Sequence, residues 1–272
     1  MRAGNNRWRY GWTAAVLAAF FASLSVGVSA GEPVRATGTV EPEEIVDVGA
    51  QVTGMIKSLG LDPSSPGKAI DYGSRVEAGT VLARLDDAVY QADVEAAQAV
   101  VARAEAELED AKVKVKFGII GAPTQLLVPA IEATLAKYRA ELKRAQVNLG
   151  YTLIKSSVKG VIIDRRVNVG QIVGPTPTPG SSLFLIAKDL RKLQVWVSVP
   201  EKHISRIRVG TPTTFTVDAF PKRVFQGKVK QIRLNAQMTQ NVVTYTVVVT
   251  TDNSDGKLLP YLTANVEFPT DP

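Results

Sequence analysis

Residues 87–150 carry an apolar pattern that strongly restricts the possible folds of the chain. Apolar residues recur there at alternating steps of four and three, the spacing of the seam between two helices of a coiled coil. Glycine and proline between Gly118 and Thr124 interrupt the pattern, so it predicts two antiparallel helices joined by a short turn. A coiled coil that only dimerises the chain is the alternative. The predicted seam contains Val94, Val101, Leu108, Val115, Ile131, Leu135, Leu142 and Leu149.

The first 30 residues have the pattern of an export segment. Three arginines precede an apolar or small-residue run from Trp12 to Ala30. Its end, Val28-Ser29-Ala30, fits the cleavage pattern of a signal peptide. The run is also long enough to remain as an N-terminal membrane anchor. Both interpretations predict that the chain after Gly31 lies across the membrane, because arginines before the run keep the N-terminus in the cytoplasm.

Composition excludes several function classes. The formal net charge of +6 includes the three arginines of the leader, so the remaining chain is too close to neutral to indicate nucleic-acid binding. The chain has no cysteine, which excludes disulfides and thiolate metal sites.

No group of residues has the pattern of a catalytic, cofactor-binding or metal site. The single histidine, His203, follows the start of a short predicted helix and is expected to be structural or exposed. Asp86 or Asp87 is expected to be the N-cap of the first long helix. Asp62–Gly67 combines one acid with two prolines, whereas a calcium loop needs several oxygen donors. We therefore predict a protein that is not an enzyme and needs no cofactor.

Two segments flanking the predicted helices match each other. Val52-Thr-Gly-Met-Ile56 matches Val158-Lys-Gly-Val-Ile162, and Arg75-Val-Glu-Ala-Gly-Thr-Val81 matches Arg166-Val-Asn-Val-Gly-Gln-Ile172. Each half has about 40 residues, too few for a core of its own. The halves are therefore predicted to close one domain, with the two matched Val-x-Gly-x-Ile segments in adjacent strands. Glycines at the predicted turns are Gly54, Gly79, Gly160 and Gly170.

The C-terminal part of the chain is predicted to form short strands. Leu193, Val195, Val197 and Val199 alternate with polar or larger residues, the period of a half-buried strand. Trp196 lies in the same strand and is assigned to the core. Further strands are expected over 213–217, 224–234, 243–251 and 263–268, separated by glycine and proline. Short strands at this spacing predict a small antiparallel β-barrel.

These motifs, in this order, resemble the periplasmic adaptor proteins, also called membrane fusion proteins, of the HlyD/RND type. The segment Ala145–Ile154 followed by Gly160 resembles the point where that family re-enters its lipoyl-like domain. Phe215–Pro221 and Phe225–Val229 resemble the adaptor barrel, most closely that of MacA-like adaptors of ABC efflux systems.

The resemblance implies a fold that is mainly β with an inserted α-helical coiled-coil hairpin. A lipoyl-like barrel-sandwich hybrid would be joined to a small antiparallel β-barrel. The implied parts are residues 1–30 as signal peptide or anchor, 31–86 and 151–188 as the two lipoyl-like halves, 87–150 as the hairpin and 189–272 as the barrel.

The implied function is that of a non-enzymatic adaptor in the periplasm or on the periplasmic face of the inner membrane. It would link an ABC-type or RND-type inner-membrane transporter to an outer-membrane channel, in a homo-oligomeric ring that is a hexamer by family resemblance. Partner contact is expected at the hairpin tip, unless the apolar side chains there only cap the coiled coil. The tip residues are Phe117, Ile119, Ile120, Leu126 and Leu127.

The chain departs from the family pattern at three places. Pro260-Tyr261-Leu262 stands where adaptors usually have Pro-Gly-Met. The family's Arg-x3-Leu-x6-Ser motif is not found over 103–131, so a channel contact does not follow from the tip sequence. The membrane-proximal domain is expected to be absent or reduced to Val34–Glu44.

Two other functions stay open at this point. One is a coiled-coil scaffold of the cell envelope that serves no transporter. The other is a lipoyl or biotinyl carrier, although residues 87–150 replace the turn on which a carrier presents its lysine.

Overall fold

The computed structural model describes residues 31–118, 124–175, 182–239 and 242–270. The predicted leader, residues 1–30, lies outside them. Within these ranges no helix is long and apolar enough to cross a membrane. The helices are α1 Ala88–Lys116, α2 Thr124–Tyr151 and α3 Glu201–Ile204. The strands are β1 Gly31–Pro42, β2 Ile45–Val48, β3 Gly54–Leu59, β4 Arg75–Val76, β5 Val81–Leu85, β6 Leu153–Lys155, β7 Gly160–Arg165, β8 Ile172–Val173, β9 Phe184–Ala187, β10 Lys192–Pro200, β11 Pro212–Val217, β12 Phe220–Thr239, β13 Val242–Asp252 and β14 Thr263–Thr270.

Six strands form a closed barrel in the order β1-β10-β13-β12-β11-β14. The alternation predicted for β10 is confirmed, because its four aliphatic residues are buried in the barrel core. The rings of Phe215 and Phe225 stack inside the barrel with their centroids 5.4 Å apart.

Trp196 is not in the core, contrary to the prediction. It lies between the inward-facing Val195 and Val197, so its side chain points to the outer wall, where it is half-buried. Its indole Nε1 donates to Oε1 of Gln194 at 3.3 Å, and the Arg233 guanidinium lies 3.8 Å from the ring centroid. The Arg233 guanidinium thus covers one face of the Trp196 ring on the outside of the barrel.

β1 belongs to the barrel rather than to the lipoyl-like half that was predicted to begin at residue 31. It pairs with β10 through Gly38–Pro42 and with β14 through Gly31 and Val34–Thr39. Val34 and Val40 are buried in the barrel core. The predicted remnant of a membrane-proximal domain, Val34–Glu44, is therefore mostly a barrel strand. The sequence reading missed this because β1 is remote in the chain from the strands that it joins.

Two four-stranded sheets, β2-β9-β7-β4 and β6-β5-β3-β8, form the part of the molecule that we call the sandwich. Both halves of the sequence repeat supply strands to each sheet, and Ile56 and Ile162 are buried in one shared core. The two Val-x-Gly-x-Ile segments do not pair with each other, contrary to the prediction. Instead, β3 pairs with β8 and β7 pairs with β4. Each Val-x-Gly-x-Ile segment therefore pairs with a strand at the second matched segment of the other half.

The four glycines that were predicted to lie at turns of the two halves differ in role. Gly79 and Gly170 occupy turns with the same positive φ of 87°, a conformation that favours glycine. Gly54 and Gly160 instead begin strands β3 and β7 and have no positive φ. A Cβ at Gly160 would overlap the carbonyl oxygen of Ala187 in the neighbouring strand. The turn assignment therefore describes Gly79 and Gly170, whereas close backbone approach requires glycine at position 160.

Helices α1 and α2 lie side by side and run antiparallel. Two ion pairs fix this direction, because Glu105 pairs with Arg139 at 2.7 Å and Lys112 pairs with Glu132 at 3.5 Å. The apolar cluster between the helices contains Val101, Ala104, Leu108 and Leu135, with Val128, Ile131, Tyr138 and Leu142 packed against it.

Not every predicted seam residue lies in that cluster. Val94 is buried nearer the sandwich, and Leu149 is half-buried close to the end of α2. Val115 differs from the prediction, since its side chain is 37% exposed. It lies in the last turn of α1, beyond the last buried residue of that helix, Ala111.

Candidate functional site

The helical pair is attached to the sandwich at two paired strands. β5 leads into α1, α2 leads into β6, and β5 and β6 pair with each other. The Tyr90 hydroxyl donates to the carbonyl oxygen of Thr53 at 2.7 Å, which ties the first turn of α1 to the segment before β3. The sandwich therefore holds both helices at one edge.

The N-cap of α1 is one of the two predicted residues, but its side chain does not cap the helix. Asp87 occupies the N-cap position but makes no side-chain capping bond. Its carboxylate accepts from Gln91 Nε2 at 2.9 Å, while Asp86 Oδ1 accepts from the backbone N–H of Ala88 at 3.3 Å. The two carboxylates thus act locally on the helix start.

The end of the helical pair remote from the sandwich exposes apolar side chains. Phe117 is 67% exposed, and Lys116 Nζ lies 5.8 Å from its ring centroid. Leu127 is also exposed, whereas Val128 packs against the apolar cluster between the helices. Of the predicted tip residues, Phe117 and Leu127 therefore share one end of the molecule. Ile119, Ile120 and the side chain of Leu126 lie outside the described residues.

The loop Leu61–Gly73 has no counterpart in the second half of the repeat, and a side chain of the second half binds it. Asp71 Oδ1 accepts from Arg165 Nε at 2.9 Å, and this hydrogen bond is the main cause that holds the pKa of Asp71 below its usual value. Arg165 also donates to the carbonyl oxygen of Val167 at 2.6 Å and to Oδ1 of Asn168 at 2.9 Å. One guanidinium therefore joins the loop to the turn that follows β7.

Asp62, in the same loop, accepts hydrogen bonds that stabilise the loop itself. Asp62 Oδ2 accepts from the Ser74 hydroxyl at 2.7 Å, and Oδ1 accepts from the Ser64 N–H at 2.7 Å. The Ser74 bond is the main cause that lowers the pKa of Asp62. The carboxylate closes a turn, as its spacing from two serines allows.

Tyr261 lies where the barrel meets the sandwich and has a strained backbone conformation. In the sequence it stands out only as a tyrosine where adaptors usually have glycine. Tyr261 has a φ of 68°, unlike any other non-glycine residue of the described ranges. Its N–H donates to the Val40 carbonyl oxygen at 2.7 Å, and Leu262 returns a carbonyl to the Val40 N–H at 2.9 Å. Burial raises the pKa of the Tyr261 phenol, and burial also raises the pKa of Glu41 nearby. Position 261 therefore has the backbone conformation that favours glycine, the residue usual in adaptors, although this chain has tyrosine there.

The described ranges contain no group of three or more His, Asp or Glu side chains arranged to hold a metal ion. His203 is half-buried in α3, beside Arg206 and the start of β1.

Known proteins match this architecture along most of the chain. A family described as the CusB-like beta-barrel domain matches residues 194–272. The pyoverdine export membrane fusion protein PvdR of Pseudomonas aeruginosa is 31% identical over 294 residues, covering 90% of this chain and 72% of PvdR. The macrolide export protein MacA of Yersinia pestis is 26% identical over 261 residues, covering 86% of this chain and 67% of MacA.

A solved structure agrees with these sequence matches. A MacA-MexA chimera that contains the Pseudomonas aeruginosa MexA alpha-hairpin domain superimposes with a TM-score of 0.71 at 28% identity, covering 88% of this chain and 79% of the chimera. The order of parts and the identity to PvdR lead to the same assignment: this chain belongs to the family of export membrane fusion proteins.

Proposed function

We propose that this chain is the adaptor subunit of an efflux or secretion system and links an inner-membrane transporter to an outer-membrane channel. One observation carries the proposal. A barrel, a two-halved sandwich and a pair of helices inserted between the halves occur together in a chain that aligns over 90% of its length with an export membrane fusion protein. The transporter would be of the ABC type, or of the RND type, and the adaptor would lie in the periplasm.

The sandwich suits the role of a lipoyl-like barrel-sandwich hybrid. Each half completes its strands only with the other half, through β3 with β8 and β4 with β7. A domain closed in this way tolerates a long insertion between its halves, because the insertion leaves from two adjacent strands. The helical pair can therefore extend from a base that the rest of the chain keeps rigid.

The proposed mechanism is mechanical rather than chemical. The barrel would contact the transporter, sandwiches of neighbouring copies would pack side by side into a ring, and the helices would extend that ring as a tube. A hexamer is the ring size that family resemblance favours. The exposed side chains of Phe117 and Leu127 at the remote end of the helical pair support this arrangement.

The first test measures the effect of the chain on its transporter. The full chain and the ABC transporter encoded beside it, where there is one, would be reconstituted together in proteoliposomes. An adaptor should bind the transporter and change its rate of ATP hydrolysis. A scaffold that serves no transporter should leave both quantities unchanged, and this result would refute the proposal.

Mass spectrometry of the chain from its native host separates the adaptor from a carrier. A carrier would hold lipoyl or biotinyl on a lysine between the two halves. Here that connection consists of α1, α2 and the residues between them. We expect every lysine to be free of these groups.

We further propose that the end of the helical pair, with Phe117, Ile119, Ile120, Leu126 and Leu127, binds the partner protein beyond the tube. An exposed phenylalanine and leucine at the end of a long projection are typical of a contact site. The alternative is that these side chains only close the end of the apolar cluster.

The two interpretations differ in what a charge at Phe117 does. Phe117→Glu should abolish export while the thermal unfolding midpoint stays nearly constant, because Phe117 is already largely in water. Val89→Glu is the matched control, since Val89 is 71% exposed at the opposite end of α1. Export that falls only in proportion to a loss of folded protein would assign Phe117 to the helix core instead.

A further inference from the structure

The hairpin of β12 and β13 ends in exposed apolar side chains. Between Ile232, which pairs with Val247, and Ala236, which pairs with Tyr245, β12 has two more residues than β13. This bulge turns Leu234 outward, and its side chain is 94% exposed. Met238, nearer the end of the hairpin, is 72% exposed, and Val242 is exposed as well. Met238 and Val242 lie on opposite faces of the hairpin, because Met238 pairs with Val243 whereas Val242 pairs with Thr239. We call these exposed apolar side chains at the end of the hairpin, Leu234, Met238 and Val242, the hairpin patch.

The end of the hairpin lacks the charges that protect most sheet edges. β12 pairs with β11 only as far as Lys228, and Val229 exchanges backbone hydrogen bonds with Gly210 and Thr211. The later described residues of β12 form a free edge on this side. No charged residue occurs from Leu234 to Thr251 in the sequence. Exposed edge strands of soluble proteins usually carry lysine, proline or another charge that prevents association. The part of this edge from Leu234 onward has no charge and exposes leucine and methionine, which indicates a surface that is covered in the working state.

The hairpin patch lies at the same end of the barrel as the start of β1. β10 pairs with β13 up to Thr244 and then continues into α3. Arg206, just after α3, donates to the carbonyl oxygen of Glu32 at 2.7 Å, and Gly31 pairs with Thr270 at the end of β14. Gly31 directly follows the apolar run from Trp12 to Ala30 in the sequence. Gly31, which follows the predicted export segment, therefore lies at this end of the barrel.

Charges around this end favour an anionic surface. Arg233 sits beside Leu234 and is held over the Trp196 ring at 3.8 Å. Lys202 and Arg208 are exposed in the connection from β10 to β11. Together with Arg206 they outnumber the carboxylates of Glu32 and Glu201. Apolar side chains at the tip of an element with cations at its base match the interface of a bilayer, where acyl chains lie below the phosphates.

We propose that the hairpin patch inserts into the headgroup region of a phospholipid membrane, with Arg233 at the level of the lipid phosphates. Contact with a membrane would fix the height and tilt of the barrel above the bilayer, whether or not residues 1–30 are retained. This inference does not depend on the export function. A protein partner or a second copy bound along the free edge of β12 would cover the same surface and is separated from the membrane by the experiment.

The absence of cysteine from the chain permits a direct test. Leu234→Cys and Met238→Cys would each be labelled with the environment-sensitive fluorophore NBD in the full chain. Each labelled protein would be bound to unilamellar vesicles of phosphatidylethanolamine and phosphatidylglycerol at a ratio of about 3:1, which provides the anionic surface. We expect the emission of both labels to shift to shorter wavelength, and lipids with a doxyl group near the headgroup to quench both.

Two matched controls carry the same label elsewhere. Val224→Cys places it on an exposed residue of the same strand, away from the hairpin end, and Ile172→Cys places it on the sandwich. Both labels should stay water-exposed and unquenched. Any vesicle binding by residues 1–30 is the same in all four variants, so only the position of the label differs.

Two outcomes would overturn the proposal. In the first, labels at 234 and 238 remain as exposed on vesicles as the label at 224, which leaves the patch for a protein partner. In the second, their emission shifts with rising protein concentration but doxyl lipids do not quench it. That result would assign the free edge of β12 to a second copy of the chain.

Discussion

Single residues in this molecule are fixed by backbone geometry that composition alone does not reveal. Gly79 and Gly170 share one φ value because the two halves of the repeat make the same turn. Gly160 has ordinary backbone angles, yet its lack of a side chain lets β7 approach β9. The sequence repeat located all of these glycines, but it could not separate a turn from a close approach, because both require the same residue.

Substitution by alanine should separate the two roles of these glycines. Gly79→Ala and Gly170→Ala should each lower the free energy of unfolding by about 1–2 kcal/mol, the cost of a positive φ in a residue with a Cβ. Gly160→Ala should cost more, because its Cβ would overlap a backbone oxygen that cannot move alone. Chemical denaturation measures all three.

Gly49 provides the control for this series. It has no positive φ, and a Cβ there would meet no atom within 4 Å. Gly49→Ala should therefore be neutral or slightly stabilising. Equal losses at positions 49, 79 and 160 would show that loss of glycine itself, rather than geometry, determines the cost.

The pair of Asp71 and Arg165 predicts a pH dependence of stability. Because the folded pKa of Asp71 lies below its unfolded value of about 3.9, the pair contributes stability above that pH and loses it as the pH falls through the folded pKa. The difference in thermal midpoint between the native chain and Asp71→Asn should be present at pH 6. It should shrink as the pH falls below about 4. A difference that stays constant down to pH 2 would contradict this assignment.

At the scale of elements, the helices were the most predictable part and the hairpin of β12 and β13 the least. A seam at steps of four and three repeats often enough to identify both helices, and Leu108 and Leu135 lie buried between them. The bulge near Leu234 has no repeating pattern, and strand alternation alone would place that leucine on one face or the other. The available signal was the uncharged stretch from Leu234 to Thr251, which a reading of strands alone passes over.

The cluster between the helices should respond to truncation independently of the barrel. Leu108→Ala should cost the helical pair about 2–3 kcal/mol, because it leaves a cavity between α1 and α2. Leu142→Ala should cost less, since Leu142 is only half-buried. Hydrogen exchange of the α1 and α2 amides would report both losses, and the unfolding transition followed by Trp196 fluorescence should not move.

Val100 is the matched control on the same helix, with an exposed side chain. Val100→Ala should change helix stability by no more than about 0.5 kcal/mol. If Leu108→Ala also lowered the barrel transition, the helices and the barrel would have to unfold as one unit, contrary to the separate apolar clusters seen here.

At the scale of the whole molecule, the order of parts followed from the sequence, but their closure did not. The half-repeats predicted one domain from two distant segments, and both segments do share a core. The sequence repeat matches the segment of β3 with the segment of β7. In the structure these two strands do not pair, since β3 pairs with β8 and β7 pairs with β4. Likewise β1 completes a barrel whose other strands begin about 150 residues later, since β10 starts at Lys192. Pairings of such long range leave no periodic trace in one sequence.

This long-range closure predicts that the helices can be removed without loss of the β-structure. If residues 87–150 are replaced by a glycine-containing turn, Asp86 and Tyr151 need only continue the existing pairing of β5 with β6, in which Arg84 lies opposite Leu153. The Leu85 N–H already donates to the Thr152 carbonyl oxygen at 2.8 Å, so the two chain ends are adjacent before the deletion. Circular dichroism should lose its helical signal and keep its β-signal, and the Trp196 transition should remain. Loss of the β-signal as well would mean that the halves need the helices to find each other, and the sandwich would then not be a domain in its own right.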